Sequence, residues 1–259
     1  MRISMSPQDY ATAFRLLSTT SRHAVDISAV IKQRVVPDLP GRPSLLDVGA
    51  GPGSIAERLA AHFSAITLIE PNREQLAGFK LEGAEIIHDQ FENVTLSRQY
   101  GLVLCSHVMY HVPLEQWGAF VDRLLAAARP EGYCVIVLGA PRGQNYEMHR
   151  EFTDFIIESS LLTKTLQEKR IPFDVAPTEN SFTAATFDEM YALCRFFVLE
   201  DCYTREKLDA LSEPEARELD AKIRAYAEVC RSADGTYRLQ QGDDVIIINM
   251  KNIGKPSAS

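Results

Sequence analysis

The stretch Ser44-Leu45-Leu46-Asp47-Val48-Gly49-Ala50-Gly51-Pro52-Gly53-Ser54 decides the reading of this 259-residue chain. A short apolar run passes into three closely spaced glycines and then into Ile55-Ala56-Glu57-Arg58-Leu59-Ala60-Ala61-His62-Phe63, a helical pattern. Glycine adopts positive φ readily and carries no Cβ, so a ligand can approach the backbone of a strand-to-helix turn built this way. The spacing Gly49-x-Gly51-x-Gly53 is one residue shorter at its end than the dinucleotide-binding fingerprint, and Asp47 precedes it on the strand. An acidic neighbour repels a pyrophosphate, which favours a bare helix N-terminus.

A cationic ligand reverses that preference. S-adenosylmethionine carries an ammonium and a sulfonium and no phosphate, so a carboxyl group such as Asp47 beneath the turn suits it. The next apolar run, Ala65-Ile66-Thr67-Leu68-Ile69, ends in Glu70, where a carboxylate accepts hydrogen bonds from a ribose diol. A third strand, Ala84-Glu85-Ile86-Ile87-His88, leads into Asp89-Gln90. Through LLDVGAGPG, the strand-ending LIEPN and Asp89-Gln90, in that order, the chain resembles the class I S-adenosylmethionine-dependent methyltransferases. The resemblance implies a Rossmann-like α/β fold with a seven-stranded, mostly parallel sheet and an antiparallel seventh strand. It also implies that Asp47, Gly49, Ala50, Gly51, Gly53, Glu70 and Pro71 surround the cofactor, with Asp89 and Gln90 beside its adenine.

Composition narrows the class of partner. Hydrophobic residues make up 46% of the chain and charged residues 24%, ordinary values for a soluble globular protein. A net charge of −8 argues against nucleic acid or an anionic membrane as partner, because phosphate backbones are bound chiefly by lysine and arginine. Cys105, Cys134, Cys194, Cys202 and Cys230 are scattered and odd in number, which suits reduced thiols and neither a disulfide framework nor a metal site. No run approaches the ~18 apolar residues of a membrane span, and the N-terminus lacks a signal pattern, so a cytoplasmic location is expected. The partner expected is a small-molecule substrate, with the chain a monomer or homodimer.

Along the chain, residues 1–40 carry two helical patterns, one from Ser6-Pro7 with Tyr10, Phe14 and Leu17 on one face, the other with Val25, Ile27, Val30, Ile31 and Val35 before Pro37. In the resembled family such leading helices commonly lie over the cofactor, which makes this segment a candidate lid and Tyr10 and His23 candidate substrate contacts; packing on a sheet edge is the plainer alternative. Residues 41–142 read as the cofactor-binding core, with helices crossing over between strands one and two, two and three, and four and five. Residues 143–170 read as a helical insertion after strand five. Residues 171–253 complete the sheet, with a sixth strand at Ile171–Val175, helices over Thr186–Val198 and Ser212–Arg231, and a closing hairpin turning at Gly242. Residues 254–259 read as a disordered tail.

Methyl transfer is an in-line displacement, so alignment in a dry pocket supplies most of its acceleration and few residues are obligatory. The segment after strand four, Ser106-His107-Val108-Met109-Tyr110-His111, leaves the sheet where the reacting centre is expected. His107 and His111 are candidate general bases or walls of the pocket, and Tyr110 is a candidate cover for the cation or a packing residue.

More narrowly, the chain resembles the histamine N-methyltransferase-like small-molecule enzymes through Ala13-Phe14-Arg15, the run Ile69–Gln75, the HVMYHV segment and the order of elements. That resemblance implies cofactor contacts from Glu70, Gln75 and Ser106; the acceptor expected is a small molecule methylated at nitrogen, with oxygen and carbon as the alternatives. It departs on the acceptor side, where His23 and His107 stand in place of the group's glutamate and glutamine. Two other readings keep the cofactor. One is an azetidine-forming cyclase that releases methylthioadenosine, and the other is a non-catalytic binding partner.

Overall fold

The computed structural model describes residues 3, 5–76 and 78–254. Helices α1 (Pro7–Thr20) and α2 (His23–Arg34) precede β1 (Ser44–Val48), α3 (Ser54–Leu59) and β2 (Ala65–Ile69). There follow β3 (Glu85–Ile87), β4 (Tyr100–Ser106), α4 (Trp117–Ala127), β5 (Ala128–Gly139), α5 (Gln144–Phe152), α6 (Ser159–Glu168) and β6 (Asp174–Ala184). Helices α7 (Phe187–Asp201), α8 (Arg205–Asp209) and α9 (Glu213–Val229) lead into β7 (Tyr237–Asn249). The strands form one seven-stranded sheet in the order β3-β2-β1-β4-β5-β7-β6. Strands β1 to β5 are parallel and β7 runs antiparallel to β5, which is the Rossmann-like α/β arrangement expected.

The winding reverses between β1 and β4, and ligands of such sheets bind beyond the carboxyl ends of the strands at that point. Val48 stands opposite Ile69 on one side and Cys105 on the other, so Gly49, Glu70 and Ser106 leave the sheet at one level. Strand β1 is buried along its whole length, as a central parallel strand covered on both faces must be.

Contacts divide the chain into two compact units. One comprises Ala24–Gly139, Glu158–Thr178 and the described residues from Asp243 onward. Its core brings Ile27 and Ile31 of α2 and the following Val35 together with Leu45, Leu68, Leu104 and Val135 of the sheet and Ala56 and Leu59 of α3. The other comprises the described residues up to His23, with Ala140–Ile157 and Glu179–Gly242. Its core brings Ala13 of α1 and Met148 of α5 together with Leu193 and Phe197 of α7 and Leu219 and Ile223 of α9. The expected lid segment thus contributes α1 to one unit and α2 to the other, and the expected insertion contributes α5 to one and α6 to the other.

Sharp helix starts follow from their caps. Thr186 and Glu189 close a reciprocal capping box at α7, and Ser212 and Glu215 another at α9. The expected crossover helix between β2 and β3 is replaced by turns over the described residues. Pro71, Gly78 and Gly83 punctuate that segment, and the Asn72 side chain accepts a hydrogen bond from the Glu74 amide, a local bond that competes with helix. Strand six begins at Asp174, three residues later than expected, and continues to Ala184 past Pro177, which the edge of a sheet tolerates.

The expected hairpin is instead one continuous strand, β7. Gly242 has no positive φ; a Cβ there would sit 2.5 Å from Cγ of Arg142, so this glycine makes room for a crossing side chain and not for a turn. The five cysteines are unpaired by disulfide and buried. Burial pushes the Cys134 thiol up to about 12, as for an inert core residue. Among the described residues no helix is long and apolar enough to cross a membrane. Of the expected tail, residues 255–259 lie outside the described residues.

Candidate active site

Three glycines in left-handed conformation shape the turn after β1: Gly49 at φ 65°, Gly51 at 54° and Gly53 at 75°. The amides of Gly49 and Ala50 both donate to the carbonyl of Ile69, which ties the turn to the end of β2. A Cβ on Gly49 would lie 2.2 Å from Cγ2 of Val108, and one on Gly53 2.4 Å from Cδ2 of Phe79. A Cβ on Gly51 would meet nothing within 4 Å, so the space over the middle of the turn is open.

Glu70 clamps that turn from the side. One carboxylate oxygen accepts from the Gly51 amide at 2.9 Å, and the other accepts from the Asn72 amide at 2.9 Å. Each oxygen keeps a lone pair for a further donor, so the carboxylate is held in place with capacity left for a diol. Asp47 lies buried at the end of β1. Burial first, and the neighbouring Glu70 second, raise its pKa to about 8, so near neutral pH most of it carries a proton. The clamped Glu70 carboxylate suits a ribose diol, and Asp47 would gain charge only where a cation close by favours its ionised form.

Four further expected cofactor contacts lie in the loops after β2 and β3. Pro71 is exposed, and Gln75 is half-buried in the turns after β2 and not on a helix. Asp89 caps its own loop, with one carboxylate oxygen accepting from the Gln90 amide at 2.7 Å and from Asn93 Nδ2 at 2.9 Å. Because Ile87 pairs with Ile69, Asp89 and Gln90 leave β3 beside Glu70 in the sheet order.

At the end of β4 Ser106 is half-buried, as is His107 just beyond it, and His111 is exposed. His107 is one of two described non-glycine residues with positive φ, at 57°. Its amide donates to the carbonyl of Val137, and its ring stacks on Tyr110 with centroids 5.7 Å apart. The Tyr110 hydroxyl in turn accepts from the Gly139 amide at 2.7 Å, so the aromatic pair is anchored to the end of β5. Asp243, 1% exposed, brings its Oδ1 within 3.7 Å of His107 Nε2. In the sequence, Gly242-Asp243-Asp244 resembles a solvated turn, which masks Asp243; the one signal for it is its place at the head of the apolar run Val245–Ile248.

The expected substrate contacts Tyr10 and His23 belong to the other unit. Tyr10 packs against Phe14 and Phe196, at centroid distances of 6.3 and 5.3 Å, and the amide of His23 donates to the hydroxyl of Ser21.

None of the curated proteins compared with the chain matches it. Among solved structures, a protein of Bacillus halodurans provisionally described as a methyltransferase is 14% identical, with 86% of this chain and 98% of that one covered and a TM-score of 0.56. A protein of Anaeromyxobacter dehalogenans, provisionally described as a type II methyltransferase, is 15% identical over 86% of this chain and 96% of that one, with a TM-score of 0.54. The YcgJ protein of Bacillus subtilis is 9% identical over 87% and 97%, with a TM-score of 0.55. At such identities the likeness is one of fold. The family model described as a methyltransferase domain matches residues 22–168, which include the glycine turn, Glu70 and the segment after β4. Since that match spans more than half of the sequence, this chain belongs to the methyltransferase domain family.

Proposed function

We propose that this protein transfers a methyl group from S-adenosylmethionine to nitrogen of a small-molecule amine. The observation that carries the reading is the Glu70 carboxylate, fixed by the amides of Gly51 and Asn72 beside an open glycine turn. When bound, the cofactor supplies an electrophilic methyl group on a sulfonium centre. Gly49, Ala50, Gly51 and Gly53 would pass beneath its methionyl portion, Glu70 would hold the ribose hydroxyls, and Asp89 and Gln90 would border the adenine. Asp47 would face the ammonium. Its raised pKa then acquires a role, because a nearby cation favours the ionised form and binding would expel a proton.

On the acceptor side, His107 and Tyr110 form an anchored aromatic wall beside the ends of β4 and β5, and His111 lies exposed on the same segment. The net charge of −8 supports a small cationic or neutral acceptor over a polyanion. The test is incubation with S-adenosylmethionine and a library of small amines, with products read by mass spectrometry. Products heavier by one methyl group, together with S-adenosylhomocysteine, support the reading. Methylthioadenosine formed without any acceptor would replace it with cyclisation.

A further inference from the structure

We infer that Asp243 is a positioning residue for His107, holding the imidazole with its Nε2–H toward the carboxylate and leaving the lone pair on Nδ1 to accept a proton. The inference deepens the methyl-transfer reading and rests on it for the source of that proton.

A carboxylate at 1% exposure is expensive to bury unless a donor or cation stands against it, and the His107 imidazole lies 3.7 Å away at ion-pair distance. The placement of Asp243 is fixed by backbone. It pairs with Gly139 across the β5–β7 ladder, and its carbonyl accepts a hydrogen bond from the Thr178 hydroxyl. His107 is fixed independently. Its left-handed backbone is uncommon for a residue with a side chain, its amide is tied to Val137, and Tyr110 stacks on its ring. Two separately anchored groups therefore face each other where β4, β5 and β7 meet. A carboxylate on one imidazole nitrogen selects the tautomer and stabilises the imidazolium that forms when the other nitrogen takes a proton. An amine that gains a carbon substituent becomes an ammonium. Its proton would pass to Nδ1 of His107, with the imidazolium charge balanced by Asp243, and from there to solvent.

Nuclear magnetic resonance of 15N-histidine-labelled, full-length protein tests this without turnover, with the His107 signals assigned by their loss in His107→Gln. In the unsubstituted protein, neutral His107 is expected as a single Nε2–H tautomer; the Nδ1–H tautomer would overturn the inference. Asp243→Asn is expected to lower the proton affinity of the imidazole about ten-fold, which is one pKa unit, with the affinity for S-adenosylhomocysteine unchanged. An unchanged titration in a folded variant would overturn it. Should Asp243→Asn fail to fold, the tautomer of the unsubstituted protein decides alone. With any amine the screen identifies, Asp243→Asn and His107→Gln should lower turnover by similar factors, and the double variant should lose little more. Fully additive losses would contradict a shared role. A screen without product, alongside the expected tautomer, would remove the methyl-transfer reading and leave the Asp243–His107 pairing standing.

Discussion

The turns after β1 and after β4 both pass through left-handed backbone, yet the first does so with glycine and the second with histidine. Glycine adopts that conformation nearly without cost, whereas a residue with a Cβ sacrifices roughly 1–2 kcal/mol. After β1 the chain offers amides and open space, with Glu70 holding the loop from the side. After β4 a side chain is kept where a glycine would sit more comfortably, stacked on Tyr110 and facing Asp243. One turn is built for its backbone and the other for what its side chain does.

The largest effect expected from the first turn is electrostatic. Asp47 binds a proton in the folded protein up to about pH 8, against 3.8 for the ordinary group. The native state therefore holds more protons than the unfolded one across that window, and the contribution of Asp47 to stability is lost as pH rises, by at most ~1.4 kcal/mol per unit. Denaturant titrations between pH 4 and pH 8 should show that decline, and Asp47→Asn should flatten it; identical slopes in the two proteins would separate Asp47 from the effect. Gly49→Ala should cost about 2–4 kcal/mol by the same assay, because the added Cβ meets Val108 at 2.2 Å on a backbone at φ 65°. A neutral result would mean that the turn relaxes easily and is no rigid cradle.

For the second turn, His107→Ala and His107→Gly remove the same ring and differ in the cost of left-handed backbone. The glycine variant should be more stable than the alanine variant by about 1–2 kcal/mol. If alanine is equal or better, the strain at His107 does not exist and the contrast between the turns disappears. Tyr110→Phe should have the smallest effect, about 0.5–1.5 kcal/mol, through the lost acceptor for the Gly139 amide. No change in melting temperature would show that water replaces the phenol there.

How far each region can be read from sequence follows from the same contrast. Glycine spacing, the strand-ending Glu70 and the apolar runs declare β1, β2 and their turn, because backbone geometry demands those residue types. The boxes Thr186…Glu189 and Ser212…Glu215 likewise mark α7 and α9. The segment after Glu70 misleads, since Arg73-Glu74-Gln75-Leu76 has helical composition while Asn72 and the glycines hold it in turns. Gly242 misleads in the other direction, because clearance for Arg142 and a hairpin turn call for the same amino acid. Asp243 is marked in the sequence only by its place before the apolar run Val245–Ile248, and its role emerges once β7 proves continuous and brings it opposite Gly139. Residues that act through side chains drawn from distant strands have no fixed spacing to announce them.

The central claim is that Glu70 and the glycine turn hold the nucleoside portion of S-adenosylmethionine, and calorimetric titration with its demethylated product, S-adenosylhomocysteine, which keeps that portion and does not turn over, tests it most directly. The expected result is saturable binding by the unsubstituted protein, weakened by about 1.5–3 kcal/mol in Glu70→Ala, the range for a hydrogen bond to a charged group. Equal affinity in the two proteins, or no heat with this nucleoside while a nicotinamide or flavin dinucleotide binds, would contradict it.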